Sequence, residues 1–109
     1  GEQQRDFIFV GDVVEGLLAV ASAPGIEGQS LDLGTGCPRP LRQVVQRIWD
    51  LAGGTGQVLA GALPYRRGEA CLLVADADRT ARLTGWTAQT DLETGLRQTI
   101  HAYTTLTAQ

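Results

Sequence analysis

The chain is 109 residues long, 43% apolar and 19% charged, with a formal net charge of −3. That length holds one modest domain, able to bury roughly two-thirds of its unfolded surface, and the composition excludes a disordered or fibrous chain. It carries no basic field suited to nucleic acid and no apolar run near the roughly 18 residues of a membrane span. All nine basic residues are arginine; lysine does not occur. Cys37 and Cys71 have neither a CxxC partner nor a histidine nearby, so they read as reduced, partly buried thiols. With no signal peptide visible, the expected location is cytoplasmic.

Gly1-Glu2-Gln3-Gln4 has no initiator methionine and reads as the end of a loop entered from upstream. Phe7 to Val10 reads as a short strand, apolar on both faces and therefore wanting cover on both. Asp12 stands where a helix cap belongs, and Val13, Val14, Leu17, Leu18 and Ala21 follow at helical spacing until Pro24-Gly25. A second strand, Ser30 to Leu33, runs into Gly34-Thr35-Gly36. Pro40 then suits the first position of a helix in which Leu41, Val44, Val45, Ile48 and Leu51 share an apolar stripe. Gly53-Gly54 ends it.

Gln57 to Ala60 reads as a further strand, followed by the Pro64-Tyr65-Arg66-Arg67-Gly68-Glu69 loop and a short apolar strand from Cys71 to Ala75. Asp78 is read as the cap of a short helix closed by Gly85. Thr90 and Glu93 read as a capping box heading the last helix. Leu92, Leu96, Ile100, Tyr103 and Leu106 share one stripe of that helix, while Glu93, Arg97 and His101 share another. The expected architecture is α/β, with α+β as the alternative: a small mixed sheet and about four helices, near residues 12–22, 40–52, 78–84 and 91–106. Leu41, Val44, Val45, Ile48, Leu92, Leu96 and Ile100 are expected to form the core.

Four features are candidates for chemistry. Gly34-Thr35-Gly36 could converge its N–H groups on a phosphate, but it lacks the third glycine of a dinucleotide fingerprint and the G-K-[ST] of a P-loop, so a tight turn is the plainer reading. Arg66-Arg67 could grip a phosphate or carboxylate bidentately, or be solvated. Arg5 could pair with Asp6 or Asp12, or bind a ligand. His101 reads as a surface residue.

Together these segments resemble the C-terminal third of the NAD-dependent nucleotide-sugar epimerases and dehydratases, in the extended branch of the short-chain dehydrogenase/reductase superfamily. Gln3-Gln4-Arg5-Asp6-Phe7-Ile8-Phe9-Val10-Gly11-Asp12 is similar to the segment that opens the family's substrate subdomain. Asp32-Leu33-Gly34-Thr35-Gly36 resembles its Asn-x-Gly-x-Gly turn, with Asp in place of Asn. Arg66-Arg67-Gly68-Glu69 resembles its Arg-x-Gly-(Asp/Glu) loop. Ala75-Asp76-Ala77-Asp78-Arg79-Thr80 with Leu83-Thr84-Gly85-Trp86, and then Leu92-Glu93-Thr94-Gly95-Leu96-Arg97-Gln98-Thr99-Ile100, resemble its closing segments in the same order.

The resemblance implies that Arg5 and Arg66 bind the substrate diphosphate and that Asp32 lies near the substrate. A rigid guanidinium fork suits a diphosphate better than a mobile ammonium does. It also implies NAD(P) as the parent family's cofactor. The family binds it on an N-terminal Rossmann domain through a Gly-x-x-Gly-x-x-Gly turn and catalyses through a Tyr-x-x-x-Lys pair, whose lysine lowers the tyrosine's pKa. This chain has neither, so no catalytic residue is assigned, Tyr65 and Tyr103 become packing or loop residues, and residues 1–109 are expected to be a single substrate-binding subdomain that binds no cofactor alone.

Two functional classes follow: the substrate-binding part of an epimerase or dehydratase, or a non-catalytic binding or interaction module derived from one. Expected partners are a nucleotide-sugar, held weakly, and either the missing Rossmann domain or a second copy against an exposed apolar face. Nucleic acid and membrane are not expected.

Overall fold

The computed structural model describes residues 2–54 and 72–107. The expected Gln57–Ala60 strand and the Pro64–Glu69 loop, with Arg66 and Cys71, lie outside the described residues. In chain order the elements are strand β1 (Gln4–Arg5), helix α1 (Val10–Ser22), strand β2 (Arg39–Pro40), helix α2 (Leu41–Leu51), strand β3 (Leu72–Leu73), helix α3 (Ala77–Thr84) and helix α4 (Leu92–Thr107). β1 is the middle strand. It runs antiparallel to β2, with Arg5 opposite Arg39, and parallel to β3, with Arg5 beside Leu73. A small mixed sheet with four helices is the α/β arrangement expected.

The strands differ from the expectation. Phe7 to Val10 is not a strand: ladder partners flank only Gln4 and Arg5, Phe7 to Phe9 continue half-buried without pairing, and Val10 already belongs to α1. Ser30 to Leu33 forms no strand either. Its polar groups are claimed from α3 instead: Arg79 donates to the Ser30 carbonyl at 2.8 Å, the buried Thr80 hydroxyl to the Asp32 carbonyl at 2.7 Å, and the Asp76 N–H to the Asp32 carboxylate at 2.9 Å. These side-chain partners satisfy the backbone that a neighbouring strand would otherwise pair.

The helices stand close to where periodicity puts them, but three caps move. Asp12 does not cap α1. Phe9 holds the cap position without a side-chain bond, its carbonyl accepting from Asp12 and Val13, while the buried Asp12 carboxylate accepts from the Thr90 N–H at 2.9 Å and the Thr90 hydroxyl at 3.2 Å. Asp76 rather than Asp78 caps α3, accepting from the Arg79 N–H, and Gly85 closes that helix in the left-handed conformation. The Thr90–Glu93 capping box does not form, because both side chains are engaged elsewhere; Asp91 accepts from the Thr94 N–H at 2.7 Å in its place.

The core is thin. Of the residues expected inside, Val44 is 2% exposed, Leu41, Leu92, Leu96 and Ile100 are half-buried, and Val45 and Ile48 are 38% and 39% exposed. Cys37, expected partly buried, is exposed. Apolar side chains stand uncovered on α1, where Val10, Val14, Leu17 and Leu18 range from 52% to 67% exposed, and also at Leu72 to Val74 and at Tyr103 and Leu106 of α4. The buried side of α1 is set by Gly16: a Cβ there would stand 3.0 Å from the Leu33 side chain and 3.1 Å from the Trp86 ring.

Polar ties across the fold do much of the joining. The Asp6 carboxylate accepts from the Thr35 N–H at 3.0 Å, the Thr35 hydroxyl at 2.5 Å, the Gly36 N–H at 2.8 Å and the Ala75 N–H at 3.1 Å. Burial pushes the Asp6 carboxyl up, but the Thr35 hydroxyl and the three N–H donors outweigh it and hold its pKa below the ordinary value.

Two outcomes follow for urea denaturation. Gly16→Val should destabilise the chain by about 1–3 kcal/mol, the usual cost of overpacking. Asp6→Ala should cost about 1–3 kcal/mol at neutral pH, because it leaves N–H groups without an acceptor. A lowered folded pKa contributes stability above the unfolded value of about 4, which is lost as the pH falls through the folded one. The gap between wild type and Asp6→Ala should therefore narrow below pH 4; an unchanged gap would mean that the Asp6 charge is not what the turn holds.

Candidate functional site

β1 carries Arg5 into the middle of the sheet. The residue is half-buried, its Nη1 donates to the Gln4 carbonyl at 2.8 Å, and it lines an open depression of about 510 Å³ with Asp6, Asp32, Gly34 and the segment Leu73 to Ala75. Arg5 and Asp32 are thus brought to one concavity. Asp32 is exposed, and its carboxylate already accepts from the Asp76 N–H. Arg66 lies outside the described residues.

The Gly34-Thr35-Gly36 turn has the form of an anion nest, but its donors are spent on Asp6. Gly34 makes this possible: a Cβ there would fall 2.5 Å from the Ala75 Cβ and 2.7 Å from the Asp6 carboxylate. With a carboxylate in the turn, a phosphate would meet like charge and find the N–H groups taken. The tight-turn reading holds, and the residues described do not fit the pyrophosphate of a dinucleotide cofactor.

A second concavity, of about 830 Å³, runs between α2 and the start of α4, lined by Arg39, Arg42, Arg47, Asp50, Asp91 and Glu93 among others. Its charges are mostly paired. Arg42 pairs with Glu2 at 3.2 Å, and Glu93 is gripped in bidentate fashion by Arg47 and again by Arg97 at 2.9 Å. The Arg47 bond is the main cause holding the Glu93 pKa down to about 2.

A smaller concavity of about 320 Å³ adjoins it, where Arg39 meets Phe7, Thr35, Cys37, Gln89 and Thr90. His101 is exposed on α4, as the surface reading expects. The place of Arg39 opposite Arg5 comes from a strand register that no local signal announces. Among the described residues no group of three side chains could hold a metal, and no helix is long and apolar enough to cross a membrane.

No family model matches the chain. The uncharacterized UDP-glucose epimerase YtcB of Bacillus subtilis (strain 168) is 28% identical over 100 residues, covering 92% of this chain and 31% of that protein. The structure of MoeE5 in complex with UDP-glucuronic acid and NAD is 31% identical with a TM-score of 0.83, over 97% of this chain and 35% of that one. The epimerase Mth375 of Methanothermobacter thermautotrophicus is 25% identical with a TM-score of 0.87, over 99% of this chain and 32% of that one. The chain spans about a third of the length of the relatives it matches. In sequence and in fold the chain is therefore similar to about one third of each of these proteins.

Proposed function

We propose that this chain is the substrate-binding part of an NAD-dependent nucleotide-sugar epimerase or dehydratase, with Arg5 and Arg66 gripping the substrate diphosphate and Asp32 beside the substrate. The observation that carries the reading is the placement of Arg5 on the central strand, at an open depression shared with Asp32. It is supported by the relative MoeE5, whose structure holds UDP-glucuronic acid and NAD. In this reading a guanidinium fork fixes the phosphate end of the substrate. Hydride removal and return belong to a nicotinamide and a Tyr-x-x-x-Lys pair elsewhere in the enzyme, since a chain without lysine cannot supply the pair.

The apolar face of α1 favours an incomplete enzyme over a self-sufficient module. Val10, Val14, Leu17 and Leu18 lie exposed along one helix, a surface of the kind that marks a contact with another body. We assign it to the remainder of the enzyme.

Calorimetric titration with UDP should give weak binding that Arg5→Ala or Arg66→Ala weakens by a further ~1.5–3 kcal/mol, the range for hydrogen bonds to charged groups. The chain alone should neither bind NAD nor turn over a nucleotide-sugar. UDP binding indifferent to both substitutions would overturn the assignment of the arginines. Light scattering should show the chain alone self-associating through α1, most simply as a symmetric dimer, and Leu17→Glu with Leu18→Glu should return it to monomer. A wild-type monomer at about 100 μM, well above the micromolar range of a specific contact, would favour the stand-alone module.

A further inference from the structure

We propose that Asp6 is the positioning residue of the anion site, its carboxylate holding Arg5 and the walls of the Arg5 depression in the arrangement that an oxyanion of the substrate needs. The inference rests on the nucleotide-sugar reading above. Arg5 reaches the depression from β1, a strand of two residues with two residue pairs toward β2 and two toward β3. Strand pairing this short is marginal on its own. What fixes the chain immediately after Arg5 is the next side chain.

The Asp6 carboxylate joins segments that line the depression. Its Oδ2 accepts from the Gly36 N–H at 2.8 Å and the Ala75 N–H at 3.1 Å, and its Oδ1 from the Thr35 N–H at 3.0 Å and the Thr35 hydroxyl at 2.5 Å. Gly34 of the turn and Ala75 after β3 line the depression together with Arg5, Asp6 and Asp32. The three meet closely, since a Cβ on Gly34 would fall 2.5 Å from the Ala75 Cβ and 2.7 Å from the Asp6 carboxylate. Those donors fill the roughly four acceptor sites of a carboxylate, so Asp6 acts on a ligand through its neighbours and not by contact.

The role needs an acceptor at both oxygens. An amide in the same place would set its NH2 group against N–H donors whichever way it turned, releasing either Thr35 or the pair Gly36 and Ala75. Arg5 keeps its own bond to the Gln4 carbonyl. What Asp6 contributes is therefore not a partner for the guanidinium but the place of the backbone that carries it. A guanidinium fork meets an oxyanion through two parallel bonds, so a small displacement of that backbone costs one of them.

The test uses the full chain with UDP as the probe, its affinity read from amide NMR shifts of the folded state so that a loss of stability alone does not register. Asp6→Asn should weaken UDP binding about tenfold, the lower end of what losing a hydrogen bond to a charged group costs. Asp12→Ala, whose tie to Thr90 involves no residue lining the depression, should lower the unfolding temperature and leave UDP affinity unchanged. A double-mutant cycle separates positioning from a general effect: with Arg5→Ala present, Asp6→Asn should cost less than about twofold more, because the contact it aligned is gone. Thr35→Val removes one donor and spares the rest of the turn, and it decides the matter if Asp6→Asn does not fold. It should give a smaller loss that likewise vanishes with Arg5→Ala. Losses that add in the cycle, or a loss for Asp12→Ala as large as that for Asp6→Asn, would reduce Asp6 to a part of the fold and overturn the proposal. Asp6→Asn binding UDP as wild type does, while Arg5→Ala weakens it, would also overturn it and leave the proposed function standing. UDP binding indifferent to Arg5→Ala and Arg66→Ala alike, or absent altogether, would overturn both.

Discussion

The carboxylate of Asp6 is the constraint around which the described structure is arranged. It accepts from Thr35, Gly36 and Ala75, which are 29, 30 and 69 positions away in sequence. A carboxylate can only accept, and this one meets donors from two distant segments at once. Because Asp6 follows Arg5 directly, anchoring the acid also fixes the arginine. Because Ala75 follows β3 closely, the same bonds hold the parallel strand beside β1. The N–H groups of the Gly34-Thr35-Gly36 turn are thereby used to build the fold.

Comparable ties recur where the apolar core is weakest. Asp12 reaches Thr90 across 78 positions, joining α1 to the approach of α4, and the Arg47–Glu93 pair joins α2 to α4 across 46. With few fully buried apolar residues among those described, such bonds specify which segments meet even where each adds little net stability. They also explain the displaced caps. Asp12, Thr90 and Glu93 all have side chains suited to helix starts, and each is turned to a partner distant in sequence instead.

Exposed apolar residues occur in more than one place among the described residues: on α1, and at Leu72 and Leu73 of β3 and Val74 after it, where two of them line the same depression as Arg5. In the proposed reading the chain is one wall of a substrate cleft, and β1, two residues long, has only to place Arg5 and its neighbours at a defined spacing.

The sequence by itself determined the helices, the stop at Gly85, the exposure of His101 and, through motifs in their order, the resemblance to nucleotide-sugar epimerases. These rest on local periodicity, on glycine's freedom at a left-handed position and on residue identity, all of which survive without knowledge of the fold. Tertiary structure alone decided the rest. Whether Phe7 to Phe9 or Gln4–Arg5 pairs as a strand depends on which residues arrive alongside, and the Ser30 and Asp32 carbonyls accept from Arg79 and Thr80 because α3 packs against them. Val45 and Ile48 carry the right spacing for a core, but spacing names a face and not what covers it. Arg39 is the sharpest case: nothing around Cys37-Pro38-Arg39-Pro40 marks it as a strand residue, and its place opposite Arg5 comes from a register that only the folded sheet sets.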